Sequence, residues 1–339
     1  MSVVKEPFGR LPNDSEVFRY IIGDSDLKVA VLSYGATIQS IQFGGKDCVL
    51  GYDTLKGYLE GGSYQGATVG RYAGRIAGGC FSLNGKSYDV GCNENGTVHL
   101  HGGFRGFDKH LWNADVLEDG VRFFRISPDG EEGFPGTLQV SVTIRVHGSA
   151  LCLSYEATAS ADTPLNLTNH CYFNLNGYDG GDVLDTRLCI AADCYLPVDK
   201  ATLIPTGELR EVGGTAFDFR MTKPIGQDLD MPDDQLRDGY DHTFVLWNDR
   251  LLRVCARAES PRSGIGMEMS TDLPSVQFYT ANSTDEPNGK GGLPLRPHTA
   301  FCLETQFYPD SPHHPEFPSC ILHAGETFRS ETKYRFFKL

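Results

Sequence analysis

The chain has 339 residues, a formal net charge of -14 at pH 7, and 40% hydrophobic and 22% charged residues. Those proportions describe an ordinary globular protein, and no stretch approaches the roughly 18 unbroken apolar residues of a membrane span, so neither disorder nor a membrane-embedded chain is expected. The acidic balance repels nucleic-acid backbones and anionic lipid surfaces, which leaves small neutral ligands as the expected partners.

The opening "MSVVKEPFGRLPND" lacks the apolar core of a secretory signal, which points to a cytoplasmic protein and makes the Asn-X-Ser/Thr triplets at Asn13, Asn95, Asn166 and Asn282 chance matches. The 10 cysteines include no C-x-x-C pair and no zinc-type Cys/His spacing, so reduced thiols buried as small hydrophobes are expected. Strand-like runs begin at "VFRYIIG" and "KVAVLSYGATIQSIQF", and the best helical pattern is a turn or two near "YDTLKGYLEGG". "FSLNGKSYDV" reads as a hairpin, because Asn84-Gly85 accepts the positive φ angles of a tight turn. After "VRFFRIS", the run "LQVSVTIRV" puts Leu138, Val140, Val142, Ile144 and Val146 on one face, and "LCLSYEATA" repeats the pattern. "LRVCARAES" and "VQFYTANS" extend the series. Many short strands with little helix and no linker predict an all-β fold, a large antiparallel β-sandwich or barrel, as a single domain over residues 1–339.

Chemistry is expected at a few places along this series. "TVGRYAGRIAGGCF" is glycine-rich but lacks the Gly-Lys-Ser/Thr ending of a phosphate loop and the dinucleotide spacing. Its Arg71 and Arg75 are either surface residues or guanidiniums reaching a ligand hydroxyl from tight turns. In "VHLHGGFRGFDKHLW", His99 and His101 fall on one strand face, yet Phe104, Arg105 and Gly106 stand where a metal-binding glutamate would follow. No metal is expected, and an uncharged His101 beside Gly102-Gly103 suits a bond to a sugar hydroxyl. His170, among asparagines in "PLNLTNHCYFNLNG", is either a satisfied core histidine or a catalytic group. Asp241 in "GYDHTF" follows a Gly-Tyr and precedes an apolar strand, so it is either a turn aspartate bonding its own backbone or a functional group. Glu304 is the strongest hint, because "FCLETQFYPDSPHHPEFPS" sets it in an apolar run where a charge is costly unless it is paired or lines a cavity. His313-His314, fenced by prolines, read as loop residues.

These segments, in this order, resemble the aldose 1-epimerases, also called galactose mutarotases, from "YGATIQSI" and "LGYDTLKGY" through "GRYAGRIAGG", "HLHGG", "NLTNHCYFNL", "LPVD", "LIPTGE", "FDFR" and "YDHTF" to "LETQFYPDSPHHPEFP". The resemblance implies a galactose mutarotase-like supersandwich with an open sugar cleft and no cofactor. It implies Glu304 as general base, His170 as general acid, and Arg75, His101 and Asp241 as sugar-binding residues, with Gln277 where some members contact the sugar. One departure is Gly74, where many relatives carry asparagine before the arginine. The implied activity interconverts the α and β anomers of free hexoses such as galactose and glucose, in a cytoplasmic monomer or homodimer. With ordinary pKa values, Glu304 is ionised and His170 partly protonated at neutral pH. Two rivals remain: a hexose-6-phosphate 1-epimerase on the same fold, and a non-catalytic carbohydrate-binding protein with Trp112, Phe107 or Tyr308 as its aromatic platform.

Overall fold

The structure is a computed structural model that describes residues 3–339. Alternation decides its largest sheet. Along Leu138–His147 the side chains of Leu138, Val140, Val142, Ile144 and Val146 are buried, while Gln139 and His147 are exposed. This strand pairs antiparallel with Gly120–Ser127 on one side and Ala150–Ala159 on the other. The nine-stranded sheet runs from Asn113–Val116 through these three to Thr327–Lys338, Ile265–Thr271, Arg253–Ser260, Arg187–Ile190 and Lys223–Pro224. Thr327–Lys338 lies between Ala150–Ala159 and Ile265–Thr271, so the last strand joins two distant parts of the chain.

A second sheet packs face to face on the first. It is a five-stranded meander of Val4–Arg10, Glu16–Gly23, Leu27–Leu32, Thr37–Phe43 and Lys46–Asp47. Tyr20 meets Phe123 edge-on at 5.5 Å between centroids, and Phe43 meets Phe336 at 5.7 Å. Ile22, Val29 and Ile41 join Val142 and Ile144 in the same apolar core, the arrangement of a β-sandwich. The expected fold class is therefore observed.

The third sheet, also five-stranded, runs Arg210–Glu211, Cys194–Leu196, Asp241–Val245, Ser275–Tyr279, Cys302–Gln306. Its register sets Thr243 opposite Gln277, and Gln277 opposite Glu304. Opposed residues share a face, so three polar side chains from separate strands form one row. The alternate residues face the core: the Tyr334 hydroxyl donates to the Leu303 carbonyl at 3.3 Å, and the Thr305 and Thr332 hydroxyls lie 2.6 Å apart.

Local turns follow the expected chemistry with some adjustments. Asn84 and Gly85 carry φ of 52° and 74°, forming the hairpin of Cys80–Leu83 and Lys86–Asp89. The long run from Lys28 to Phe43 is broken at Gly35 and Ala36, both at positive φ; a Cβ on Gly35 would lie 2.6 Å from the Asp108 carbonyl. Among the described residues the α-helix is one short piece, Leu55–Glu60. All ten cysteines are free thiols; Cys48, Cys171, Cys255, Cys302 and Cys320 are buried, but Cys80 is exposed. Among the described residues no helix is long and apolar enough to cross a membrane.

Candidate active site

The polar face of the third sheet forms the floor of a cleft of about 550 Å³, lined there by Asp241, Thr243, Gln277, Tyr279, Glu304 and Gln306. Loops and the short strand Arg75–Ala77 supply the walls: Tyr64, Arg75, Glu94 and His101 from the first third of the chain, His170 and Tyr172 from the middle, and Asp285 and Glu286 from a late loop. All six residues singled out for catalysis or sugar binding, Glu304, His170, Arg75, His101, Asp241 and Gln277, line this one cleft.

Glu304 Oε1 lies 3.6 Å from His170 Nε2, and both side chains are almost wholly buried. The other carboxyl oxygen, Oε2, is buried without a protein hydrogen-bond partner. Position 170 is fixed by its backbone: its N–H donates to the Ala67 carbonyl at 2.9 Å, and its carbonyl accepts from Gly66 N–H at 2.9 Å. The neighbouring asparagines hold the segment, Asn169 Nδ2 donating to the Gly66 carbonyl at 2.8 Å and Asn166 Nδ2 to the Ala73 carbonyl at 2.9 Å. The imidazole is stacked between Tyr172, at 4.9 Å, and Tyr64, at 5.9 Å, with Cys302 Sγ 3.6 Å from Nδ1.

Burial reverses the protonation expected from ordinary pKa values. It pushes the Glu304 carboxyl up to about 8, with the negative charge of Asp241 adding to the rise and Arg75 opposing it. It also pushes the His170 imidazole down to about 4. From about pH 4 to about pH 8 the pair thus carries one proton, which rests on the carboxyl.

The second group in the cleft is ionic. Arg75 Nε and Nη2 donate to the two carboxylate oxygens of Glu94 at 2.7 and 2.9 Å, a bidentate pair. Arg75 Nη1 faces Asp241 Oδ2 at 3.8 Å, and Gln277 Nε2 donates to Asp241 Oδ1 at 2.7 Å. Asp241 opens its strand as expected, but its carboxylate bonds across to Gln277 instead of capping a turn. His101 stands in the left-handed region, φ 51°, which turns it into the cleft just beyond the strand Val98–Leu100. Gly102 continues the turn at φ 88°, where a Cβ would lie 1.9 Å from the Gly70 carbonyl.

Several expectations are corrected here. His99 does not share a working face with His101: its Nδ1 meets the Val90 carbonyl at 2.9 Å and its ring packs on Phe134. Arg71 is neither a surface residue nor a ligand contact, because it is buried and donates to the Pro135 and Gly136 carbonyls at 2.8 Å each. Trp112, Phe107 and Tyr308 are buried core residues, and the aromatic rings lining the cleft are Tyr64, Tyr172 and Tyr279. His313 does sit in a short turn, held by the Asp310 carboxylate at 2.6 Å. Glu94 and Glu286 were not anticipated; Glu286 accepts from the hydroxyls of Tyr52 and Ser63.

Donor atoms of His101, His170 and Glu304 all lie within 4.8 Å of one another, close enough to suggest a metal ion. The hydrogen bonding argues otherwise. His101 Nδ1 accepts from Gly74 N–H at 3.1 Å, so a neutral ring carries its proton on Nε2 and presents a donor to the cleft. A metal-binding imidazole has the reverse pattern, donating from its outer nitrogen to an acceptor. Burial, and after it the neighbouring His170 imidazole and the Arg75 guanidinium, hold His101 well below the usual range, so it is neutral and suited to a hydroxyl.

The aldose 1-epimerase family model matches residues 19–335. Galactose mutarotase of Mus musculus is 45% identical over 99% of both chains, and the aldose 1-epimerase of Escherichia coli K12 is 35% identical over 96% of this chain and 97% of its own. Among solved structures, an aldose epimerase homologue from C. elegans superposes with a TM-score of 0.86 at 30% identity, covering 94% of this chain and 98% of its own. Galactose 1-epimerase from Lactobacillus acidophilus NCFM also gives 0.86, at 28% identity and 99% coverage of both. A cleft built around a buried carboxyl–imidazole pair, on a supersandwich shared from end to end with these proteins, belongs to a member of the aldose 1-epimerase family.

Proposed function

We propose that this protein is an aldose 1-epimerase that interconverts the α and β anomers of free hexoses such as galactose and glucose. The observation that carries the reading is the 3.6 Å separation of Glu304, on the cleft floor, and His170, on its wall, with Arg75, His101, Asp241 and Gln277 lining the same cleft. Opening a pyranose requires loss of the proton on O1 and gain of one on O5, so an acid and a base must address the two oxygens of a single acetal carbon.

Glu304 takes the O1 proton as the C1=O double bond forms and the C1–O5 bond breaks, and His170 gives its proton to O5. Rotation about C1–C2 presents the other face of the aldehyde. O5 then attacks C1, its proton returns to His170, and Glu304 protonates O1. The reactive form has the shared proton on His170 and an ionised Glu304. It contains the same number of protons as the resting pair, so reaching it requires only transfer between them. Arg75, His101, Asp241 and Gln277 bind the sugar hydroxyls in this scheme.

One β-sandwich domain, working in the cytoplasm as a monomer or homodimer, completes the proposal; the apolar cluster that runs from Tyr20 to Phe336 supports the single domain. Polarimetry of freshly dissolved α-D-galactose and α-D-glucose tests the activity. The expected result is protein-dependent acceleration of mutarotation. Calorimetric sugar binding without acceleration would favour the binding-protein rival.

A further inference from the structure

The cleft carries an unusual charge balance. Arg75 is its one lysine or arginine, set against the carboxylates of Glu94, Asp241, Asp285, Glu286 and Glu304. An arginine in a small-molecule site ordinarily favours phosphates and carboxylates, because its planar fork matches their paired oxygens. Here the Nε–Nη2 edge of the fork is already occupied by Glu94, and Asp241 stands beside Nη1. The three ionised side chains sum to one negative charge.

Glu94 is built into this position. Its N–H donates to the Val98 carbonyl at 2.9 Å and its carbonyl accepts from Val98 N–H at 3.1 Å, closing a turn through Asn95 and Gly96 at φ of 50° and 68°. The Asn93 side chain accepts from Leu100 N–H at 2.7 Å and donates to the Leu100 carbonyl at 2.9 Å. Leu100 is the register partner of Arg75. The turn that carries Glu94 thus leads straight into the strand that pairs with Arg75, and the two side chains are only 14% and 21% exposed.

We propose that Glu94 is a specificity-determining residue: by occupying the paired edge of the Arg75 guanidinium, it makes the cleft discriminate against anionic aldoses, such as hexose 6-phosphates and uronic acids, in favour of neutral ones. The inference rests on the epimerase reading above. With Glu94 ionised, Arg75 offers its remaining N–H groups to neutral hydroxyls and presents no open positive edge. An anionic group entering beside it meets both Glu94 and Asp241 with one cation between them.

The test compares kcat/KM for D-galactose, D-glucose and D-glucose 6-phosphate in wild type, Glu94→Gln and Glu118→Gln. Glu118 lies on an exposed turn away from the cleft lining, so its substitution changes net charge equally but leaves the cleft alone. Glu94→Gln is expected to shift the phosphate-to-free-sugar ratio toward the phosphate by roughly tenfold, the effect of one unit charge a few ångströms away in a partly open site. Glu118→Gln should leave the ratio within twofold. Calorimetric affinities for galactose, glucose 6-phosphate and galacturonate give the same ratio if turnover is lost, and Glu94→Ala serves as a second variant if the glutamine form does not fold. An unchanged ratio in both Glu94 variants, an equal shift in Glu118→Gln, or a wild type that prefers the phosphate would overturn the proposal. Failure of wild type to accelerate mutarotation of free hexoses would instead overturn the epimerase reading, leaving the binding ratios to decide the role of Glu94.

Discussion

Glu304 and Glu94 are carboxylates in the same cleft, one on the sheet floor and one on a loop wall, and their surroundings could hardly differ more. Glu94 has both oxygens on the Arg75 guanidinium, whereas Glu304 has one oxygen 3.6 Å from an imidazole that resists protonation and the other without a partner. A paired carboxylate stays charged and fixes geometry. An unpaired buried one is forced toward its neutral form and gains the ability to exchange a proton near neutral pH. Glu94 thus supplies orientation, and Glu304, with His170 beside it, supplies proton transfer.

That division is broken most directly by removing the proton carriers. Glu304→Gln keeps the shape of the side chain but not its basicity, and kcat should fall by about 10²–10⁴-fold with sugar affinity changed much less. His170→Asn should behave alike. Polarimetry for turnover and calorimetry for galactose binding separate the two effects, and near-wild-type kcat in either variant would remove that residue from the chemistry.

The pH dependence sharpens the same contrast. Activity requires one proton on the pair, so log kcat/KM should be flat between about pH 4 and about pH 8 and fall on either side. Below the plateau Glu304 keeps its proton when His170 also has one, and no base remains; above it the pair has no proton to give. A bell centred between ordinary glutamate and histidine values, near pH 5.5, would show that burial does not govern the pair. Stability carries a linked signature. Because Glu304 is raised above its unfolded value, the native state binds the proton more tightly, and stability is lost as pH climbs toward 8. Glu304→Gln removes that loss, so its Tm relative to wild type should rise by a few degrees between pH 5 and pH 9.

Loss of orientation should cost less than loss of chemistry. Arg75→Lys retains the charge but cannot span both oxygens of Glu94, and kcat/KM should drop about 10–100-fold, the range of a lost charge-assisted hydrogen bond or two, mainly through KM. An equal fall in kcat would mean that Arg75 acts in the transition state instead.

The contrast between the two carboxylates also explains what was legible in the sequence. Period-2 alternation in residues 138–146 announced a half-buried strand, and an acid inside the apolar run at Glu304 announced a cavity, because both signals are local. Glu94 gave no such signal: between Asn93 and Asn95-Gly96 it reads as a solvated turn, and only the pairing of its hairpin with the Arg75 strand brings the charges together. Arg71 and Arg75 have the same glycine-flanked context yet opposite fates, since the burial of Arg71 against residues 135 and 136 is a long-range contact. His99 and His101 part because His101 itself takes a left-handed conformation, which strand periodicity does not anticipate. The protonation of the pair was misjudged for a related reason, because it depends on desolvation by segments far apart in the chain.

The smallest expected effect is that of a chelator. A metal ion here would have to draw His101 from the loop wall together with Glu304 and His170 from the region of proton transfer. To ligate through Nε2, His101 would need its proton on Nδ1, where Gly74 N–H already donates; the change would lose that bond and set two donors against each other, a cost of roughly 1–3 kcal/mol. The ion would also hold Glu304 ionised and occupy its base lone pairs, removing the shared proton on which ring opening depends. Dialysis against a strong chelator should therefore leave kcat/KM for galactose within twofold. A loss of activity restored by zinc or manganese would show that the two sides of the cleft are joined through a cation, and that hydrogen bonding at His101 does not decide its role.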